Sequence, residues 1–364
     1  MKILLIQLVG KGGTQLYISQ LASALSKTGN NVTLLLGNYL FDKNHYQNSD
    51  LKILVIDAKP SYKKMFMKLV NPITYYKILK IVKKENPDVI HLVFEDLISG
   101  VTFFLLKIHG YKLILTEHDP SPHPGEKLLS RLSQQTTKLL LRNIVDGIIV
   151  HGDNLKNIIL QKGVSSNKIH VIPHGDYFYY TKWSRQLSEE KNLILFFGLI
   201  RDYKGLEYLI RSMSIIASYI PDIKLVIAGE GDFSKYYTLI ENKKYFEIHN
   251  RFILDEEVAE FFERSSVVVL PYIGGSQSGV VPIAYAFKKP VVVTNVGSIG
   301  EIVEDGVTGL LIPPKNSNAL AEAIIKILMD SKLGLKMGEN GYLKMKNESS
   351  WSKIADKTIG VYKQ

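Results

Sequence analysis

The sequence predicts an α/β protein made of two doubly wound, Rossmann-like domains, each with a parallel sheet. Three observations lead there. Short runs rich in Val, Ile and Leu recur along the chain; segments of helical period lie between most of them; and the pattern stops near residues 176–192 and then restarts. Strands that are apolar throughout are buried on both faces, and the helices between them supply both the cover and the crossover that a parallel sheet needs. A length of 364 residues suits two domains of ordinary size.

Taken in order, the first-half strands are predicted at 3–9, 32–37, 51–57, 89–94, 112–118, 147–152 and 168–175, with helices such as 14–28 and 73–85 between them. The second-half strands are predicted at 193–198, 224–231, 252–257, 267–272, 290–297 and 308–314. Polar and aromatic residues replace the periodic pattern at 176–192, which sets the expected domains at 1–178 and 179–348, with 349–364 a last helix returning to the first domain. Two such sheets would face a cleft at their strand carboxyl ends, where ligands of α/β folds bind.

Composition excludes several classes. Hydrophobic residues make up 46% and charged residues 22%, as in globular proteins rather than disordered or collagen-like ones. With no cysteine, thiolate catalysis and Cys-based metal sites are ruled out, and a reducing cytoplasm is a natural setting. The opening apolar run, Ile3 to Val9, is strand-length and not a signal peptide, and no run reaches the roughly 18–20 residues of a membrane span.

The net charge of +10 is uneven: residues 1–180 carry 22 Lys and Arg against 13 Asp and Glu, whereas the remainder is almost balanced. The densest part, Lys59 to Lys84, interleaves lysines with Met, Phe, Leu, Val, Ile and Tyr, and a second cationic, Leu-rich segment covers 127–142. Basic amphipathic segments can lie on an anionic membrane surface, while a solvated helix face is the plainer alternative. The twenty tyrosines form no stacking ladder, so no nucleic-acid module is predicted.

Three loops carry chemistry. Gly10-Lys11-Gly12-Gly13-Thr14 follows the first strand and opens a helix, so its backbone can approach a phosphate or sugar, although its spacing matches neither the dinucleotide fingerprint nor a Walker loop. A plain strand-to-helix turn is the competing reading. Phe197-Gly198-Leu199-Ile200-Arg201-Asp202-Tyr203-Lys204-Gly205 places Arg201 and Lys204 at the mouth of the second half, where a pyrophosphate needs counter-charge. Gly274-Gly275-Ser276-Gln277-Ser278-Gly279-Val280 again joins a strand to a helix and suits a phosphate nest. Among the histidines, His118 ends a strand and precedes the loop Asp119-Pro120-Ser121-Pro122, whereas His151, His170 and His174 read as cleft-edge packing.

With these residues assembled, the stretch from about 193 to 330 resembles the donor-binding domain of family-4 retaining glycosyltransferases, whose fold is the two-Rossmann GT-B arrangement. The resemblance is carried by FFGLIRDYKGLEYLI (196–210), LVIAGEGD (225–232), EEVAEFFERSSVVVLPY (256–272) and AYAFKKPVVVTNVGSIGEIVEDGVTGLLIPP (284–314). The first half joins through Gly12-Gly13, His118-Asp119 and VIPHG (171–175). The resemblance implies that Lys204 binds the donor diphosphate, that Gly12 and Gly13 approach the donor phosphates and acceptor, and that His118 lies near the reacting sugar. It further implies that the backbone at Ser278, Gly279 and Val280 holds the distal phosphate, and that Glu230 and the segment Phe252 to Leu254, with Ile253, lie near the nucleobase.

The departures are as specific. The family's arginine after the glycine equivalent to Gly198 is here Leu199, with Arg201 two residues on; the family's two glutamates, eight positions apart, fall on Gly275 and Ile283. Gln277 or Ser276 would then meet sugar hydroxyls, and Glu301 the ribose. The expected reaction is retaining transfer from a nucleotide-diphosphate sugar, with UDP the expected nucleotide, to a lipid-linked or glycan acceptor at the cytoplasmic face of the membrane. Fixed cations stabilise the leaving diphosphate. No Asp-any-Asp triplet occurs, so no metal cofactor is expected, and no paired carboxylates suggest a glycosidase. The competing reading is a non-catalytic subunit that assists a partner glycosyltransferase; an epimerase on the same fold lacks placeable groups.

Overall fold

The structure, a computed structural model, describes residues 1–9, 13–38, 45, 51–57, 72–121 and 128–364, with the side chains of 128–130 excepted. Gly12, Lys127 and the lysines of 59–68 therefore lie outside the described residues. The chain divides into two compact units, one holding the described residues up to His174 together with Trp351–Gln364, the other Gly175–Ser350.

The first unit runs β1 (Lys2–Gln7), α1 (Gly13–Lys27), β2 (Asn31–Gly37), β3 (Lys52–Ile56), α2 (Pro72–Glu85), β4 (Val89–Leu92), α3 (Leu97–Ile108), β5 (Leu113–Thr116), α4 (Leu128–Ile144), β6 (Gly147–Val150), α5 (Asp153–Leu160) and β7 (Ile169–Val171). Its seven strands are ordered β3-β2-β1-β4-β5-β6-β7, all parallel. Successive residues of β1 face opposite cores: Leu4 and Ile6 pack with Tyr75, Ile78, Phe103 and Leu141 of α2 to α4, while Ile3 and Leu5 pack with Tyr17 and Leu21 of α1. A strand buried on both sides has no solvent face to make polar, which is why its sequence shows no alternation.

The second unit runs β8 (Leu193–Phe197), α6 (Leu206–Tyr219), β9 (Lys224–Ala228), β10 (Phe246–His249), α7 (Asp255–Arg264), β11 (Val267–Leu270), α8 (Val280–Ala286), β12 (Val291–Thr294), α9 (Ile299–Ile302), β13 (Gly309–Ile312), α10 (Ser317–Met329) and α11 (Ser331–Glu348). Its six parallel strands are ordered β10-β9-β8-β11-β12-β13. The last helix, α12 (Trp351–Lys363), belongs to the first unit, where Ile354, Ala355, Val361 and Tyr362 join the α1 side of the core.

The predicted strand at 252–257 is corrected. The strand is Phe246–His249, and Asp255, Glu256 and Glu257 instead form the acidic first turn of α7. Carboxylates at a helix start meet the positive end of its dipole, and Glu257 accepts the Leu254 amide at 3.0 Å, so a helix start outweighs the strand-like Phe-Ile-Leu.

Candidate active site

In the second unit, hydrogen bonds gather the loops at the strand carboxyl ends. The Gly198 amide donates to Ala228 O at 2.9 Å and the Ile200 amide to Glu230 O at 2.9 Å, laying the loop after β8 along the loop after β9. A 3-10 turn, Asp202–Lys204, follows, and the Ile273 amide donates to Tyr203 O at 2.8 Å, which draws in the loop after β11. Gly205 closes that turn at φ 64°, with Pro271 O only 2.0 Å from where a side chain would begin, so no other residue fits without displacing the backbone.

The centre of this arrangement is Lys204. Its side chain is buried, 8% exposed, and its ammonium sits 5.2 Å from the Tyr272 ring centroid. A Cβ at position 198 would lie 2.8 Å from that ammonium and 4.0 Å from Val280, so glycine at 198 makes the room that the cation occupies. Among the described residues no carboxylate lies within ion-pair distance of it. Removing an ammonium from water without a counter-ion is costly, which marks a place where an anion belongs.

Around it, the Ser278 hydroxyl shares a 3.3 Å hydrogen bond with the Tyr272 hydroxyl and accepts the Val280 amide at 3.2 Å. Gly279 caps α8, and its missing side chain leaves space for the Tyr177 hydroxyl, 2.8 Å from where a Cβ would stand. Gln277 has a buried amide oxygen with no partner. Glu301 accepts the Ser298 hydroxyl at 3.1 Å, and the Ser298 amide donates to Ser276 O at 2.8 Å, tying Glu301 to the same loop. The two positions matching the family's glutamates differ in kind: Gly275 adopts φ 137°, whereas Ile283 is a buried core residue of α8.

The remaining second-unit candidates spread outward. The Arg201 side chain is exposed and makes no ion pair among the described residues; Arg201 meets Lys204 through the backbone, its carbonyl oxygen accepting the Lys204 amide at 3.0 Å. Glu230 is exposed; beside it the Gly231 amide donates to Asn250 Oδ1 at 3.0 Å, joining the loops after β9 and β10. Ile253 is buried, while Phe252 and Leu254 are 61% and 53% exposed and form an apolar lip. Glu257 holds that lip by accepting from Leu254 and from Arg251, whose guanidinium keeps the carboxyl down at about 2.

In the first unit, the carboxyl ends of neighbouring strands carry four buried histidines: His91 in β4, His118 after β5, His151 after β6 and His174 after β7. Tyr17 of α1 sits among three of them, with ring centroids 5.0 Å from His118, 5.3 Å from His151 and 5.0 Å from His174. Both nitrogens of His118 are engaged, Nε2 with Val93 O at 3.1 Å and Nδ1 with His151 Nε2 at 3.0 Å. Its ring is therefore held in place rather than free to exchange a proton with a ligand. Burial lowers the pKa of each ring taken alone, that of His91 to about 3. Gly13 is exposed at the start of α1; buried Gln7 donates to Thr14 Oγ1 at 2.9 Å, and its amide oxygen has no partner among the described residues.

Next to the histidines lies a charged cluster that the sequence reading missed. Arg142 and Glu117, 6% and 0% exposed, form a two-point ion pair, with Arg142 Nε donating to Glu117 at 3.0 Å. Lys138 reaches Glu95 at 3.3 Å and donates to Asp119 O; Arg142 also donates to Pro120 O at 3.1 Å. Burial pushes Glu95 up to about 7 against the attraction of Lys138. The expectation that 127–142 offers its cations to a membrane is thus corrected for Lys138 and Arg142, which turn inward and hold the loop after His118. The available sequence signal was their i, i+4 spacing on a helix facing a Glu-His-Asp run.

Comparison with known proteins agrees with this geometry. Residues 181–344 match the model of glycosyl transferases group 1, and residues 11–175 that of glycosyltransferase family 4. An uncharacterized glycosyltransferase of Methanocaldococcus jannaschii is 26% identical, over 97% of this chain and 95% of its own length. A phosphatidyl-myo-inositol mannosyltransferase of Mycolicibacterium smegmatis is 24% identical, over 96% and 90%. The structure of Anabaena HepE in complex with UDP-glucose superposes with a TM-score of 0.78 at 18% identity, covering 100% of this chain and 99% of that one. Two parallel sheets of the GT-B kind and family matches that together span most of the chain lead to one conclusion: this chain belongs to the family-4, group 1 glycosyltransferases.

Proposed function

We propose that the chain transfers a sugar, with retention, from a UDP-sugar to a lipid-linked or glycan acceptor, without a bridging metal. The observation that carries this is Lys204, a buried cation with no carboxylate partner among the described residues. A departing diphosphate develops negative charge as the anomeric carbon becomes cationic, and a fixed ammonium in a partly dry site stabilises it more than water does. In this reading the second unit holds the donor and the first holds the acceptor. The lip at Phe252 to Leu254 and the Glu230 loop receive the base, and Glu301 reaches the ribose. The unpartnered amide oxygen of Gln277 accepts from a sugar hydroxyl in place of the family's glutamate. UDP is favoured because Anabaena HepE was solved with UDP-glucose.

A membrane-side acceptor fits the outer face of α2, where Ile73 and Tyr76 are 58% and 65% exposed beside exposed Lys77, Lys80, Lys83 and Lys84. No helix among the described residues is long and apolar enough to cross a membrane, so attachment would be at the surface. Calorimetric titration with UDP, GDP, ADP and CMP, first without metal and then with magnesium, tests the reading. Saturable metal-free binding of UDP alone supports it. The glutamate positions occupied by Gly275 and Ile283 favour a second reading, a subunit that assists a catalytic glycosyltransferase; absence of binding to all four nucleotides would turn the assignment to that role.

A further inference from the structure

His151 Nδ1 lies 3.0 Å from Ile172 O, and His118 Nε2 lies 3.1 Å from Val93 O. A carbonyl oxygen only accepts, so each of those nitrogens carries a hydrogen. A neutral imidazole has a single N–H. With both rings neutral, the two remaining nitrogens, His118 Nδ1 and His151 Nε2, would face each other as bare lone pairs across 3.0 Å. One added proton turns that repulsion into an N–H···N hydrogen bond and satisfies all four nitrogens; a second would set two N–H groups against each other.

We propose that His118 and His151 share one proton and therefore carry one positive charge as a pair, with His151 the positioning residue that fixes the charge and orientation of His118. His91 shows the contrast within the same sheet. Its nitrogens meet the hydroxyls of Tyr362 at 2.6 Å and Thr116 at 2.7 Å. A hydroxyl can donate or accept, so His91 is satisfied when neutral.

The surroundings set how many protons the pair holds. Burial lowers the pKa of both rings, helped at His151 by His118, His174 and His91 and at His118 by Lys138 of α4, which keeps a second proton out. The Asp119 carboxylate supports charge on His118. Tyr17 of α1 packs on both rings of the pair, its centroid 5.0 Å from His118 and 5.3 Å from His151, and Trp351 of α12 lies behind it, 5.3 Å from Tyr17. Burial also opposes the first proton, but that proton alone relieves the facing lone pairs, so the pair keeps it near neutral pH. For the reaction, the consequence is a fixed cation at the strand carboxyl ends of the first unit, the unit that the proposed function gives to the acceptor; this consequence rests on that reading, whereas the proton count does not.

Nitrogen NMR of the histidine side chains in the full chain, without nucleotide, tests the count. At pH 7 we expect neither ring to show a nitrogen with a free-lone-pair shift. The facing nitrogens should have intermediate shifts, and the pair should lose its proton in a single step above pH 7. A free-lone-pair nitrogen on either ring at pH 7, or two separate titrations below pH 5, would overturn the proposal. His151→Gln supplies a neutral donor to His118 Nδ1, so His118 should become an ordinary neutral ring with Nε2 protonated. The same substitution should abolish the loss of thermal stability that the wild-type pair causes as pH rises through its pKa; an unchanged pH profile counts against it. UDP titrated into the same sample reports on the proposed function separately, so failure of one reading is distinguishable from failure of the other.

Discussion

The two units both bury cations, and they treat them in opposite ways. In the first, Lys138 and Arg142 are buried against Glu95 and Glu117 and hold the loop that carries His118. In the second, Lys204 is buried to a similar degree, but among the described residues its ammonium meets an aromatic ring and the space over a glycine and no carboxylate. Burial alone therefore does not mark a binding group. A buried charge whose partner is already present belongs to the architecture, and we propose that one without a partner among the described residues is reserved for a ligand.

Breaking the paired side should have the largest effect. Arg142→Met leaves Glu117 buried without its counter-ion, and we expect chemical denaturation to show a loss of about 3–5 kcal/mol. Lys204→Met should leave stability unchanged or raise it, because it removes a cation with no partner to lose. The same Lys204 substitution should weaken UDP binding roughly 100-fold, by the size of a charge-assisted phosphate contact in a partly dry site.

The difference between the units also explains what could be read in the sequence. The strands, the two sheets and the Gly198 to Gly205 loop were legible because each rests on a local pattern: apolar runs, helical period, and glycines placed where the chain must turn closely past another loop. Lys138 and Arg142 were not legible as ion-pair partners. They read as part of a cationic Leu-rich helix because Glu117 and Glu95 lie on other elements, and only sheet order brings them together. The strand expected at 252–257 failed for a similar reason, since Phe252-Ile253-Leu254 is a lip held by Glu257 and Arg251 rather than a paired strand. The His118–His151 contact lies across two adjacent strands and needs ring geometry that spacing does not carry.

A pH series sharpens the comparison further. Burial places Glu95 at about 7 in the folded chain against an ordinary 4.5, so the folded state binds a proton that the unfolded chain has released. Stability from this group is full below pH 4.5 and falls as pH rises through 7, by roughly 1–3 kcal/mol. Thermal melts from pH 5 to pH 8 should show that decline, and Glu95→Gln should flatten it.

The smallest effect concerns the cations that neither unit buries. Lys77, Lys80, Lys83 and Lys84 are exposed on α2, and each should add about 1 kcal/mol to binding of anionic vesicles at low salt. Co-sedimentation should weaken with each Lys→Gln change and with added salt. Vesicles that sediment without the protein at low salt would remove the membrane from the proposal.

The most direct test of the central claim is calorimetric titration of UDP, without metal, into the wild-type chain and into the Lys204→Ala variant. We expect saturable binding by the wild type and a loss of about two orders of magnitude in the variant, with both proteins equally folded. Equal affinity in the two proteins would contradict it, for Lys204 would then be a buried cation with no ligand to meet.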